Sequence, residues 1–68
     1  MKTYYFTFMQ SQYGLKDYYV IVKAEDENIA REIMTLHWGS KWFTSYTEDN
    51  FSFGYFNNGC LLTISQKL

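Results

Sequence analysis

The sequence predicts an α+β domain of order ββαββ, with one helix packed on one face of a four-stranded antiparallel sheet. Three observations carry that expectation. Residues 24–42, AEDENIAREIMTLHWGSKW, hold the clear helical period of the chain. The segments on either side are short and aromatic and alternate with a period of two. Asn58-Gly59 then lies between two apolar runs, and Asn-Gly is the strongest short hairpin signal because type I′ turns need positive φ at both central residues. One helix set between two pairs of strands is the pattern of a helix laid on an antiparallel sheet.

Residues 3–9, TYYFTFM, read as the first strand. Tyr4, Phe6 and Phe8 alternate with Tyr5, Thr7 and Met9, and bulk on both faces implies strand neighbours on two sides. Residues 10–17, QSQYGLKD, are polar around Gly14 and read as a loop. Residues 18–24, YYVIVKA, are β-branched enough to be the second strand; with Val20, Val22 and Ala24 toward the helix, Tyr19, Ile21 and Lys23 turn away. A helix follows over 26–38. Ile29, Ile33 and Leu36 stand at i, i+4 and i+7 and mark its core face, widened by Ala30, Met34 and His37. Glu25, Asp26 and Glu27 favour its positive end, and Asp26 is the expected N-cap. Gly39 ends the helix, since glycine takes a left-handed C′ conformation at little cost. Residues 41–46, KWFTSY, read as the third strand, with Trp42, Thr44 and Tyr46 on one side. Thr47 to Asn50 read as a turn or one short helical turn that Thr47 can cap, 53–56 are aromatic and extended, and 60–66, CLLTISQ, close the sheet as the fourth strand.

Sixty-eight residues make one domain, 1–68, with a thin core. One cysteine excludes an intrachain disulfide, and one cysteine with one histidine argues against structural zinc. Aromatic residues make up 22% of the chain, and they are the means left for filling a small core. The far face of the sheet, rich in tyrosine and phenylalanine, has no second helix to cover it; a homodimer or a hetero-partner would do so. A net charge of −1 gives no basic footprint, which argues against nucleic acid. No apolar run approaches the roughly 20 residues of a membrane span. The start, MKTYYFTFMQ, lacks the apolar core of a secretion signal, and a lone cysteine agrees with a reducing cytosol.

The residues that carry chemistry elsewhere point to none here. Cys60 opens an apolar strand and reads as a small packing residue. His37 lies near the helix C-terminus, where a structural or solvated role suffices. Glu48 and Asp49 are adjacent, so on extended backbone their side chains diverge and they make no general acid–base pair. No glycine-rich phosphate loop is present, and no cofactor or metal is expected. The aromatic residues around the helix end are the candidates for binding. Trp38 falls about opposite the Ile29–Ile33–Leu36 stripe, and Trp42 begins the next strand. Trp38, Trp42 and Tyr46, with Glu48 and Asp49 at the rim, form the expected partner-binding surface, since tryptophan and tyrosine are enriched among binding hot spots. The alternative is that both tryptophans fold over the helix end and plug the core.

The segments TYYFTF, AEDENIAREIM and GSKWFTSYTEDNF resemble small accessory proteins encoded by bacteriophages and prophages. The matching positions are Val22, Ala24, Ala30, Arg31, Gly39, Lys41, Trp42, Tyr46, Glu48 and Phe51, and the resemblance covers about two thirds of the chain. The loop at Met9 to Gly14 departs from the pattern, which has a glycine nearer the end of the first strand. The motifs carry no catalytic signature. The resemblance implies a non-enzymatic protein in the cytoplasm of a bacterial host. There it would bind and inhibit a host defence or regulatory protein, in the manner of an anti-CRISPR protein. A module that sequesters a small planar ligand or nucleotide is the second reading, and single-stranded nucleic-acid binding by aromatic stacking is the third.

Overall fold

A computed structural model of the chain describes residues 1–8, 17–39, 41–52, 54 and 59–66. Alternating bulky residues form β1 (Lys2–Phe8) and β2 (Tyr18–Ala24), which pair antiparallel from Lys2↔Ala24 to Thr7↔Tyr19. The helix α1 (Glu27–Trp38) follows, then β3 (Trp42–Thr47) and β4 (Gly59–Ser65). The four strands form one sheet in the order β3-β1-β2-β4. The expected loop at 10–17, the extended 53–56 and the Asn57-Asn58 turn fall largely outside the described residues.

The expected α+β fold with one helix and four strands is present, but the sheet is mixed. β1 pairs antiparallel with β2 and with β3, whereas β4 runs parallel to β2, Val20 facing Leu62 and Val22 facing Ile64. The wholly antiparallel sheet is therefore corrected, and the reason is topological. β3 takes the edge beside β1 and runs in the direction of β2, and β4 takes the opposite edge, beside β2, in that same direction, so β3 and β4 are joined by a crossover and not by a hairpin. The chain leaves β3 through a turn in which the Thr47 carbonyl accepts from the amides of Asn50 and Phe51, each at 3.1 Å. It then passes onto the sheet face opposite α1, where Phe51 stacks on Tyr5 at 4.4 Å. Gly59, at φ 93°, opens β4 in a conformation that favours glycine.

The ends of α1 are built as its sequence dictates. The Asp26 carboxylate accepts from the Ile29 amide at 2.9 Å, and Gly39, at φ 61°, donates its amide to the Thr35 carbonyl at 2.8 Å. The buried face of the helix differs from the expected stripe. Ala30 and Met34 are the fully buried residues; Ile29 and Ile33 lie at the margin, and Leu36 is 85% exposed. The small Ala30 lets the helix approach β2 closely, which rotates the contact about a third of a turn away from the expected stripe. Phe6, Val20, Val22 and Ala24 complete the buried core beneath it.

The opposite face is not bare. Tyr5, 8% exposed, lies under Phe51, and Tyr19 and Tyr46 close on Phe51 at 5.0 and 5.8 Å. This second aromatic layer fills the face that composition alone left open.

Candidate functional site

The apolar arc of α1 runs from Leu36 through Ile29, Ile33, Ala30 and Met34 to Trp38. At about 100° per residue it spans about 200°, twice the stripe that one sheet contact needs. Half of it faces the core. The other half borders a gap: Ile29 and Ile33 pack against the margin of the core, and Leu36 stands in solvent. α1 rests on β2, β3 and β1 but not on β4. The consequence is an open groove of about 460 Å³ along the helix, walled by Ile29, Ile33 and Leu36 and floored by Ile64. Leu62 stands on the same face as Ile64, because its β2 partner Val20 points under the helix; it is 46% exposed.

The groove has a polar end and a charged rim. Gln66 closes the end: its amide donates to the Lys23 carbonyl at 2.8 Å, and its Oε1 accepts from the Glu25 amide at 2.9 Å. Glu32 and His37 line the helix side, and β4 contributes no charge. Glu32 has no ion pair among the described residues, whereas Arg31 is held by Glu27 at 3.5 Å.

The residues expected to share a binding surface are distributed over two faces and an edge. Trp42 sits on the helix side: its ring meets Phe6 edge-on at 5.2 Å, and its Nε1–H donates to Thr35 Oγ1 at 3.4 Å. Trp38 packs on the core against Phe8 at 5.7 Å, and does not point away from it. Tyr46 lies on the opposite face with Phe51. The separation of Trp42 from Tyr46 has a local cause. Thr7 pairs with Thr44 but Phe8 pairs with Trp42, so one extra residue in β3 reverses the alternation there. Glu48 and Asp49 are exposed in the turn after β3 and border a shallow depression with Met1, Lys2 and Tyr4. The structure thus brings Trp38 and Trp42 to the helix end, and holds Tyr46, Glu48 and Asp49 apart from them.

Cys60 pairs with Tyr19 on the face opposite α1, so it does not meet His37, which is exposed in the last turn of the helix. Its thiol donates to the Leu62 carbonyl at 3.4 Å. Burial, and then the nearby Glu48 carboxylate, raise the pKa of the Tyr5 phenol above its ordinary value, with Tyr19 and Cys60 adding to the effect. Among the described residues no group of three or more His, Cys, Asp or Glu is placed to hold a metal ion. Among them, too, no helix is long and apolar enough to cross a membrane.

The groove residues Ile29, Ile33 and Leu36 were visible in the sequence as a core stripe; Ile29 and Ile33 do pack against the core, and Leu36 does not. The signal that separates the two is the width of the arc: a second apolar half implies a second contact. Comparison of the chain with protein families, with curated proteins and with solved structures finds no match.

Proposed function

We propose that this chain is a protein-binding module that inhibits a bacterial host protein by occupying its surface, as the resemblance to phage accessory proteins implies. The observation that carries the reading is the open apolar groove between α1 and β4, with Leu36 85% exposed at its wall. Contiguous exposed apolar surface with a polar rim marks interaction sites. The groove has the volume of a small-ligand site, which is on the order of 300–1,000 Å³. Such sites enclose most of their ligand, however, and this one is open along its length. That shape suits a macromolecular partner better than a sequestered nucleotide.

The test is purification of the tagged protein from a producing bacterium, followed by affinity measurement with the protein that accompanies it in stoichiometric amount. Leu36→Asp should fold as the parent does, because the side chain is already in solvent. It should weaken the complex at least about thirtyfold, the loss of a central anchor. A retained small molecule in native mass spectrometry, with no protein bound, would refute the proposal.

A further inference from the structure

The sheet face that carries the groove has room for a second helix. Four strands at about 4.8 Å spacing extend about 14 Å between the outer pair, and packed helices lie about 8–10 Å apart. On this face α1 lies over β2, β3 and β1, most closely over β2, and leaves β4 uncovered among the described residues. The vacant strip lies over β4, beside the helix. Its wall is Ile29, Ile33 and Leu36 at i, i+4 and i+7, which is the ridge that one helix presents to another. Its floor is Ile64 and Leu62.

We propose that the groove receives an amphipathic α-helix of the partner, apolar along one stripe and basic on its flanks. This inference rests on the binding function proposed above and names the element that the partner supplies. Charge selects the basic flank. Glu32 at the rim has no ion pair among the described residues, Glu25 lies beside Gln66 at the end of the groove, and β4 offers no countercharge. The same charge disfavours α1 of a second copy, which would bring its own Glu32 against it. An added strand on the free edge of β4 is disfavoured for another reason. Tyr19 pairs with Cys60 and Val20 with Leu62, so Leu61 is an extra residue that breaks the ladder, and a bulge of this kind protects an edge from pairing.

The probe is a synthetic helical peptide of about 15 residues, with leucines at i, i+3, i+4 and i+7 and lysines beside them. Controls are a shuffled peptide of identical composition and one with glutamates in place of the lysines. Binding is followed by fluorescence anisotropy and by methyl NMR of the protein. The striped, basic peptide should bind and move the methyl signals of Ile29, Ile33, Leu36, Leu62 and Ile64. Leu36→Asp and, independently, Leu62→Lys should each weaken it at least about tenfold, and the acidic peptide should bind about tenfold more weakly in low salt. Equal binding of the shuffled peptide, or shifts confined to other residues, would overturn the inference. So would a dimer of the parent chain that Leu36→Asp dissociates, because the groove would then belong to a second copy. A host protein that loses affinity for Leu36→Asp but is not displaced by the striped, basic peptide would sink this inference and leave the proposed function standing. Peptide seated in the groove, with no host protein ever found in complex, would do the reverse.

Discussion

At Trp42 one additional backbone residue turns an indole from one side of the sheet to the other. A strand alternates with period two, so an insertion of one reverses every side chain beyond it. Trp42 thereby joins Phe6 and Thr35 under the helix end, while Tyr46 stays with Phe51. No residue in WFTSYT announces that bulge, which is why the expected Trp42–Tyr46 edge was not legible. Tyr5 makes a different residue-scale case. Its phenol is kept neutral by burial and by the Glu48 carboxylate, so its folded pKa lies above the ordinary value of 10.0. Below about pH 10 both folded and unfolded chains hold the proton, and the stability linked to this group is fully present. As pH rises further the unfolded chain releases the proton first, and that stability is lost through the folded pKa. Urea midpoints measured from about pH 9 to 12 should therefore fall more steeply for the parent than for Tyr5→Phe. Parallel curves would show that the phenol titrates alike in both states.

Element by element, the ends of α1 were the most legible part of the chain and its buried face the least. Asp26 and Gly39 act through chemistry that is local to the chain: a carboxylate that accepts from an amide three residues on, and a backbone that tolerates positive φ. Caps therefore survive whatever the tertiary contact. The contact face does not, because a 3.6-residue period gives the centre of an apolar arc only when the arc is narrow. Here the arc is wide, and the side holding Ala30 and Met34 wins because a small residue lets the backbone approach the sheet. The two halves of the arc should answer mutation differently. Met34→Ala removes a fully buried side chain and should cost about 2–5 kcal/mol, whereas Leu36→Ala should stay within about 0.5 kcal/mol. Chemical denaturation of the two variants measures both. Equal losses would place Leu36 in the core after all.

At the scale of the molecule, the two-layer plan was legible and the strand order was not. Periods of two, then 3.6, then two again name the elements, and one amphipathic helix must lie on one sheet face. Which edge the last strand takes depends on long-range pairing. The Asn-Gly signal near Gly59 speaks only for a turn, not for the strand that the turn leads to. Composition was also a poor guide to coverage. An excess of aromatic residues implied an uncovered face, and the chain instead turns Phe51 back onto Tyr5 and Tyr19. The uncovered surface is on the helix side, where the helix sits off-centre over a sheet wider than itself.

The parallel β2–β4 ladder has a consequence for the order in which the molecule assembles. Its residues are far apart in sequence: the Glu25–Gln66 bond at its end joins positions separated by 41. Closing so long a loop is an entropic cost that cannot be recovered until most of the ladder has formed. β1, β2 and α1 are near neighbours along the chain and can make a nucleus first. β4, and with it the floor of the groove, should then join after the rate-limiting barrier. Stopped-flow kinetics would show this as Leu62→Ala and Ile64→Ala speeding unfolding with little change in folding rate, and Val22→Ala slowing folding. The reverse pattern would place β4 in the nucleus. A protein built in this order completes its groove last, out of the part of the fold that opens most readily.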